Sequence, residues 1–543
     1  MNTSFTTWDY LIFVVYAIAL ISVGFWVSRG KKGEEKNAED YFLASKSLPW
    51  WAIGASLIAA NISAEQFIGA SGSGFAGGLA IASYEFMAAL TLIIVGKFFL
   101  PVFIKQGIYT IPEFVERRFS TNLKTILAIF WICLFVFVNL TTVLFLGGKA
   151  LDTILGVGDG SMIIPSMLCL AAVAAAYSLY GGLSAVAWTD VLQVALLVIG
   201  GIITTLVALY YVTPEHSIMG GIQHVYDAAG SHFDIILEPD NAEYNNMPGI
   251  YMLIGGLWIA NIYYWGFNQY IIQRTLAAKS LEESQRGIIF AAFLKLLVPF
   301  IVVVPGIIAY VMYKEGLFDA AMAFENANGT LNNDNAYPWL IRTFVPTGLK
   351  GLVVAALAAA IVSSLASMLN STSTIFTMDI YRQYVNPNAS QTKLVNVGRM
   401  TAGVALIIAC CIAPMLGGIG QVFQYIQEYT GLVSPGILAV FLTGLFWKKA
   451  NNKGAVWGVL LSIPIALLLK FIPGVSMPFI DQMFYTTLLS MAAIIMVSLS
   501  TNPVEDDPKA IHLTQDMFKT DKVFNICAYI ICILLAIIYA IFW

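Results

Sequence analysis

The chain has 543 residues, of which 59% are hydrophobic and 11% are charged, with a formal net charge of -4 and a mean hydropathy of +0.78. Soluble domains carry about 25% charged residues, so this composition excludes a soluble globular protein and predicts an all-α polytopic membrane protein. All six cysteines fall inside apolar runs, which excludes a disulfide framework or a zinc site as the organising element.

Apolar stretches recur along the whole chain. A membrane crossing needs about 20 apolar residues. By this criterion about 14 transmembrane helices are predicted, beginning near Trp8, Leu48, Gly78, Leu123, Met162, Asp190, Pro248, Gly287, Gly351, Val397, Gln421, Ala455, Gln482 and Val523. We expect no cleavable signal peptide, because residues 1–7 lack a basic region and no small-residue cleavage pattern follows the first span.

Basic residues are concentrated in alternate loops. The loops after odd-numbered spans hold 21 Lys and Arg residues, and the opposite loops hold 5. The positive-inside rule therefore predicts cytoplasmic basic loops and two external termini, in the plasma (bacterial inner) membrane. We predict a short interfacial helix within residues 107–119. Two long external loops are expected at 213–247 and 314–350, and the three histidines of the first are expected to be solvated.

Two spans share an interruption. Leu57-Ile58-Ala59-Ala60-Asn61-Ile62 lies in the second span, and Leu257-Trp258-Ile259-Ala260-Asn261-Ile262 lies 200 positions later in the seventh. An unpaired amide costs several kcal/mol in hydrocarbon, so a polar break at mid-depth indicates a protein-lined cavity. The repetition predicts a duplicated architecture with a binding site between the copies.

Ionisable residues inside spans are costly, so they indicate either function or ion pairs that fix helix packing. For Glu65 and Asp190 both interpretations stay open. Glu85 and Lys295 favour function because of the amides predicted to lie near mid-depth with them, which are Asn61, Gln66, Asn261 and Gln427. One carboxylate and one ammonium among amides form a near-neutral site, which suits an uncharged polyhydroxy ligand.

Aromatic residues directly follow the second interruption. Tyr263, Tyr264 and Trp265 offer a flat apolar face on which a sugar ring can stack. Interfacial belt aromatics are the weaker alternative, because these residues lie at the helix break and not at a span end.

A run of small and hydroxyl residues extends from Ala358 to Ser367. Hydroxyls that bond back to their own helix explain most such runs. The alternative pairs Ser363 and Ser364 with main-chain carbonyls freed between Ala59 and Ile62. Such an oxygen-only set suits a hard cation such as sodium. Spacing alone does not separate the two interpretations.

Several motifs resemble those of the sodium/solute symporter family, particularly its sugar-carrying members. The motifs are Tyr180-Gly-Gly-Leu-Ser-Ala185, Gly444-Leu-Phe-Trp-Lys-Lys449 with Lys453-Gly-Ala455, and the stretch from Tyr263 to Arg274. The resemblance implies a 5+5 inverted-repeat transporter core with a broken helix at the first position of each repeat. The repeats would occupy residues 48–212 and 248–446. An extra N-terminal helix and loop (1–47), the external loop (213–247) and three C-terminal helices (447–543) would complete the chain.

The resemblance also implies roles for particular residues. Substrate contacts would come from Asn61, Gln66, Glu85, Asn261, Lys295 and Gln427. Tyr264 with Trp265 would form the inner gate, and Tyr84 with Phe423 would form part of the outer lid. Sodium would be held by the carbonyls of Ala59, Ile62 and Ala360 and the hydroxyls of Ser363 and Ser364. Asp190 would lie along the cytoplasmic sodium exit.

The function predicted from these features is sodium-coupled import of a hexose, galactose or glucose, by alternating access. The chain has no Walker loop, nucleophile elbow or dinucleotide fingerprint, so we expect no enzyme activity, no nucleotide or nucleic acid partner, and no cofactor beyond sodium as co-substrate. The alternatives are a symporter of the same family for a polyol, sugar acid, proline or vitamin, and a channel or membrane sensor. Ala70 and Ala88 depart from the sugar carriers' pattern, which has a larger apolar residue and a Ser there, and they leave the hexose open.

Overall fold

A computed structural model describes residues 5–28, 37–155, 160–320, 324–325, 331–417, 422–472, 477–502 and 506–543, with the backbone alone at positions 177, 422 and 424. Within these ranges the protein is helical, and its extended pairings are two isolated bridges. The predicted all-α membrane fold is therefore confirmed. The predicted start of the eleventh span, Gln421, lies outside the described residues, as do parts of the predicted loops 1–47 and 314–350.

Most of the helices are apolar, and several are joined by short 3-10 or π-helical segments. The apolar helices are Thr7–Ser28, Trp50–Asn61, Ser71–Gly77, Ser83–Ile94, Leu100–Gln106, Thr121–Cys133, Thr141–Ile154, Ile163–Tyr211, Gly249–Ile254, Gly256–Ile262, Gln269–Leu276, Leu281–Lys314, Leu349–Ile375, Gln391–Ile412, Val422–Phe446, Asn452–Lys470, Phe479–Thr501 and Lys522–Ile541. The π-helical segments are Glu65–Ala70, Val95–Phe99, Leu134–Leu140, Tyr263–Phe267 and Phe376–Val385. Helices in the loops are Ala38–Leu43, Ile111–Arg118, Ile218–Ala229 and Ala336–Phe344.

Twelve described helical segments are long and apolar enough to cross a membrane, which makes this a multi-pass membrane protein. The predicted fifth span contains only a shorter apolar helix, Ile163–Ala176. The predicted start of the sixth span at Asp190 is wrong, because helix Ile163–Tyr211 already runs through that residue. The chain changes direction earlier, at Gly182, whose φ of 65° and ψ of -154° are accessible to a residue without Cβ.

Burial separates a central helix from peripheral ones. In the most apolar 18 residues of the segment Leu349–Val385, 94% of the residues are buried. The corresponding share is 17% in Thr7–Val27 and in Lys522–Ile541. The peripheral helices expose large apolar side chains such as Trp26 and Tyr529. An outer surface of this kind requires lipid, whereas the central helix is enclosed by other parts of the protein.

The first broken span leaves the helix directly after Asn61. Ile62 is extended, with φ of -77° and ψ of 99°. The Ser63 N–H donates to Gln66 Oε1 at 3.2 Å instead of to the Ala59 carbonyl, which is the i−4 partner in a regular helix. The predicted interruption is therefore present here, and a side chain of the next segment stabilises it.

The second broken span is interrupted at other positions than predicted. Asn261 itself is helical, inside Gly256–Ile262. The chain leaves the helical region at Gly255, with φ of -123° and ψ of -95°, and again at Asn268, with φ of -78° and ψ of 124°. The sequence therefore locates the correct span but not the correct residues of the breaks.

A parallel bridge joins the two broken spans at one end. The Leu48 N–H donates to the Ala277 carbonyl at 3.1 Å, and the Lys279 N–H donates to the Leu48 carbonyl at 3.2 Å. Leu48 lies just before helix Trp50–Asn61, and Ala277 follows helix Gln269–Leu276. The start of one broken span is thus attached to the end of the other by two main-chain hydrogen bonds.

The predicted short helix after the third span is present as Ile111–Arg118, with Thr110 accepting from the Glu113 N–H at 3.2 Å as its cap. Contacts with other segments hold this helix in place. Arg118 is buried and donates to the carbonyls of Gly444 at 2.8 Å and Ala450 at 2.7 Å. An arginine that the count of loop charges treated as exposed therefore joins helix Ile111–Arg118 to the end of helix Val422–Phe446 and the residues after it.

The three histidines of the predicted loop 213–247 differ in exposure: His216 is exposed, as predicted, whereas His224 and His232 are half-buried. His224 contacts the Glu315 carboxylate at 3.0 Å, and His216 stacks on Tyr210. His232 is half-buried and stacks on a tyrosine ring, and burial lowers its pKa, so it is neutral at pH 7. No cluster of three or more metal-ligating side chains occurs among the described residues.

Glycines allow the first broken span to approach the eighth span closely. A Cβ on Gly54 would come within 2.6 Å of both the Gly287 carbonyl oxygen and the Phe290 ring. Gly287 in turn faces Ile53, where an added Cβ would meet that residue's Cβ at 2.8 Å. Small residues at such a crossing let two backbones pack directly against each other.

Gly54→Ala should destabilise the protein by about 1–3 kcal/mol, because the backbone carbonyl it would meet has no room to withdraw. The thermal midpoint of the detergent-purified protein, followed by size-exclusion chromatography, measures the effect. Gly403→Ala is the matched control, since nothing lies within 4 Å of its Cβ position. It should be neutral or stabilising by up to about 1 kcal/mol. Equal midpoints for the two variants would contradict the close crossing.

Candidate substrate and cation site

The two broken spans border a cavity of about 70 Å³. All six predicted substrate contacts and all four predicted gate residues line it. The lining is Asn61, Glu65, Gln66, Tyr84, Glu85, Ala88, Leu134, Asn139, Ala260, Asn261, Tyr263, Tyr264, Trp265, Asn268, Lys295, Phe423, Ile426, Gln427, Thr430, Ser434 and Met483. Residues that are distant in sequence therefore meet in one cavity.

Lys295 is the centre of the polar contacts in this cavity. Its ammonium group donates to Glu85 Oε2 and to Asn61 Oδ1, and it lies 5.1 Å from the centre of the Trp265 ring. The side chain is 1% exposed, so these contacts replace water around the charge. An ammonium group has three donors, and two are used here, which leaves one for a ligand.

The remaining amides are partly engaged, and each keeps free hydrogen-bonding capacity. Gln66 Oε1 accepts from Ser63, and Asn261 Nδ2 donates to the Leu257 carbonyl at 3.0 Å. The Gln66 amide nitrogen is thereby a donor, and the Asn261 oxygen an acceptor, toward the cavity. Gln427 is half-buried in the lining. Donors and acceptors that face one space match the hydroxyls of a polyhydroxy ligand.

Two aromatic groups border the cavity at different places. The Tyr84 and Phe423 rings pack edge-to-face, with centroids 5.5 Å apart and planes at 90°. Tyr264 packs against Trp265 at 5.2 Å, and its hydroxyl accepts from Asn61 Nδ2 at 3.0 Å. The hydroxyl of Tyr270 also donates to it, at 2.8 Å. A hydroxyl held by two partners fixes the ring over the cavity.

Ser364, one of the predicted sodium residues, contacts the first broken span near its break. The Ser364 hydroxyl donates to the Ala60 carbonyl at 3.0 Å, one residue from the predicted ligand Ala59. The Ser363 hydroxyl donates to Asp190 Oδ1 at 2.5 Å. Both serines are fully buried. A hydroxyl that donates a proton keeps its lone pairs, so either oxygen is able to coordinate a cation.

Asp190 is held by a residue that sequence reasoning missed. Arg274 donates to Asp190 Oδ2 at 3.3 Å and to the Ser56 carbonyl at 3.1 Å, and also to the Ser367 hydroxyl. Its assignment to a cytoplasmic loop is wrong, because its side chain is fully buried. The available indication was Asp190 itself, since a carboxylate inside an apolar helix needs a basic partner.

The cavity lining includes residues beyond the expected near-neutral set. Glu65 lines it together with Glu85 and Lys295. The amides of Asn139 and Asn268 line it as well, and sequence reasoning had singled out neither. Of the two departures from the resemblance, Ala88 lines the cavity and Ala70 is buried outside the lining.

A polytopic helical protein with two broken spans around a buried polar cavity has the architecture of a secondary transporter. The chain belongs to the sodium:solute symporter family, whose family model matches residues 41–462. Both the predicted membership and the predicted sodium-coupled symport are confirmed, so the chain is a transporter and not an enzyme.

Individual relatives cover almost the whole chain. The sodium/glucose cotransporter of Vibrio parahaemolyticus is 64% identical over 538 residues, with 98% of each chain covered. The sodium/myo-inositol cotransporter 2 of Oryctolagus cuniculus is 32% identical over 545 residues, covering 93% of this chain and 78% of the relative. Among solved structures, the substrate-bound outward-open state of a Na+-coupled sialic acid symporter is similar, with a TM-score of 0.79 and 25% identity. That match covers 94% of this chain and 100% of the other.

Lys295→Met should destabilise the protein by about 3–5 kcal/mol, because it leaves the Glu85 carboxylate buried without its counter-charge. Adding Glu85→Gln to the same chain should recover most of this loss. Thermal midpoints of the single and double variants in detergent measure both effects. Lys470→Met, which breaks the partly exposed pair with Glu428, should cost no more than about 1 kcal/mol. If the double variant is no more stable than Lys295→Met, the buried pair is not what stabilises the site.

Proposed function

We propose that the protein imports a neutral hexose, galactose or glucose, together with sodium by alternating access. The observation that carries the proposal is the convergence of Lys295, Glu85 and Asn61 with three further amides and two aromatic pairs on one cavity. The 64% identity to a sodium/glucose cotransporter supports the same substrate class. The proposed partners are therefore a neutral sugar, sodium as co-substrate and the lipid bilayer, with no further cofactor.

The proposed architecture has 14 crossings, with a repeat at residues 48–212 and its inverted counterpart at 248–446. Support comes from the equivalent positions of the two broken spans, each the first of its repeat. The bias of basic residues toward alternate loops supports cytoplasmic basic loops and two external termini. The N-terminal segment 1–47, the external loop 213–247 and the three helices at 447–543 would then surround or follow the repeats.

The sugar contacts would be Asn61, Gln66, Glu85, Asn261, Lys295 and Gln427. Their free groups include donors and acceptors, as a hexose requires. Tyr264 would be the inner gate, stacked on the sugar ring, with Trp265 beside it. Tyr84 and Phe423 would close the outer side, and their edge-to-face contact is supported by Gly69, where an added Cβ would meet Phe423 at 2.7 Å.

Sodium would be held by the carbonyls of Ala59, Ile62 and Ala360 and by the hydroxyls of Ser363 and Ser364, with Asp190 on the cytoplasmic exit path. Coupling would act through the first break. The contact from Ser364 reaches Ala60, and the next residue, Asn61, contacts both Lys295 and Tyr264. Sodium that orders this turn would order the sugar site and the gate, and it would shift the equilibrium only by its different affinity for the two states.

Lys295→Ala should abolish sodium-driven uptake of labelled galactose and glucose in proteoliposomes, because the site loses its central donor and leaves Glu85 unpaired. Equal insertion of the variant is verified by its yield in the vesicles. Lys470→Ala, which removes a lysine outside the cavity lining, should transport normally. Wild-type uptake by Lys295→Ala would remove the sugar site from this cavity. Unlabelled myo-inositol in the same assay tests the polyol alternative.

Ser364→Ala should raise the sodium concentration for half-maximal uptake by about tenfold, because one oxygen partner of a charged ligand is worth about 1.5–3 kcal/mol. Sodium titrations at saturating sugar measure the shift. Ser500→Ala, at an exposed helix end where the hydroxyl bonds only to the Val497 carbonyl, is the matched serine control. An unchanged sodium dependence in Ser364→Ala would place the ion elsewhere.

A further inference from the structure

A second cavity lies apart from the two broken spans and is bordered by basic side chains. Its volume is about 260 Å³. Of the ten described residues that line it, four are basic and none is acidic. The basic ones are Lys105, Arg117, Arg118 and Lys509. A cavity lined by charges of one sign attracts ligands of the opposite sign, so this basic cavity favours an anion.

Three segments that are distant in the sequence enclose the basic cavity. The Nζ atom of Lys509 donates to the carbonyl of Phe119, directly after helix Ile111–Arg118, at 2.9 Å. The Nζ atom of Lys105, near the end of another helix, lies 3.9 Å from Met517 Sδ. These two contacts attach one segment to the other two at separate points. The charges of all three segments therefore border one space.

The basic charges of this cavity are only partly compensated. Two of them are paired with carboxylates, Arg117 with Glu113 at 2.7 Å and Arg118 with Asp507 at 3.3 Å. Within the part of the chain that the structure describes, Lys105 and Lys509 have no ion pair, and their ammonium groups contact a sulfur and a carbonyl oxygen instead. Two positive charges thus remain, which is the charge that one phosphate monoester balances at pH 7.

Two further carboxylates of the same segments already have basic partners. Glu116 is paired with Lys124 at 2.6 Å and also accepts from the Thr121 hydroxyl. Asp516 is paired with Lys519 at 2.6 Å. Neither carboxylate is therefore available to balance the two lysines of the basic cavity.

The basic cavity lies where a membrane-spanning segment ends. The helix that supplies Lys105 is the last part of the segment Glu65–Gln106, and residues 506–518 connect two further spans. The rings of Phe98 and Phe518 pack with centroids 5.5 Å apart, and Phe98 is exposed on the outer surface of its span. Basic cavities between helices at this depth suit the phosphates of lipid head groups.

We propose that the basic cavity binds a phosphate group, with the ammonium groups of Lys105 and Lys509 as its charge partners. Arg117 has five N–H donors and uses two, on Glu113 and on the Gln106 carbonyl, so it offers further donors to the phosphate. The phosphate belongs either to the head group of an anionic phospholipid or to a soluble phosphate ester. The basic cavity shares no lining residue with the substrate cavity, so this proposal does not rest on the proposed sugar symport.

The thermal midpoint of the purified protein in detergent measures binding of phosphatidylglycerol, added at rising mole fraction and constant ionic strength. In wild type this lipid should raise the midpoint, relative to equal amounts of phosphatidylcholine. The double variant Lys105→Gln/Lys509→Gln should need about 30-fold more phosphatidylglycerol for the same increase, about fivefold for each lysine. The double variant Lys105→Arg/Lys509→Arg keeps both charges and should retain most of the response.

The same assay without added lipid distinguishes the two sources of the phosphate. If a soluble ester is the ligand, glycerol 3-phosphate should raise the midpoint of wild type, whereas sodium chloride at equal ionic strength should not. If a lipid head group is the ligand, phosphatidylglycerol should raise the midpoint and glycerol 3-phosphate should leave it unchanged. Either result supports a phosphate site.

The matched control is Lys453→Gln/Lys519→Gln, which removes two exposed lysines outside the lining and should respond as wild type does. The proposal is overturned if neither phosphatidylglycerol nor glycerol 3-phosphate raises the midpoint of wild type. It is also overturned if the control loses as much response as Lys105→Gln/Lys509→Gln, because the effect would then come from the overall surface charge. An equal loss in the arginine variant would show that the two lysines act through packing and not through charge.

Discussion

The site depends on the burial of one ammonium group inside a membrane protein. Lys295 is tolerated there because Glu85 and Asn61 approach it from two other spans. That requirement fixes where three helices stand relative to one another. The direct backbone crossing at Gly54 and Gly287 brings two of these helices close enough. The glycine crossing and the buried ion pair therefore require the same arrangement of the helices, and the cavity lies at that ion pair.

A second buried pair, Arg274 with Asp190, contacts the same helix at Ser56, before the first break. Asp190 also accepts from Ser363, while Ser364 holds the Ala60 carbonyl. The helix that ends at the first break therefore contacts both charge pairs, through Ser56 and through Asn61. Irregular backbone is tolerated at this depth because protein groups satisfy it.

Composition and apolar run length were enough to predict the all-α membrane fold, and paired residues such as Lys295 and Glu85 could be associated because a buried charge needs an opposite one. Arg274 was misplaced because counting basic residues by loop ignores burial, and its partner is 84 positions away. The orientation of Glu65 was not predictable because the break at Ile62 resets the helical phase. Asn261 was predicted to lie at a helix break because the polarity of a residue alone does not show whether its backbone stays helical.

The bridge between Leu48 and Ala278 has a mechanical consequence. Its two bonds use only main-chain groups, so the side chains on this stretch are free to diverge without loosening it. The two bonds oppose separation of the broken spans at this end, so a rearrangement that keeps the bonds moves the two ends together. The bridge marks where a hinge axis should be sought.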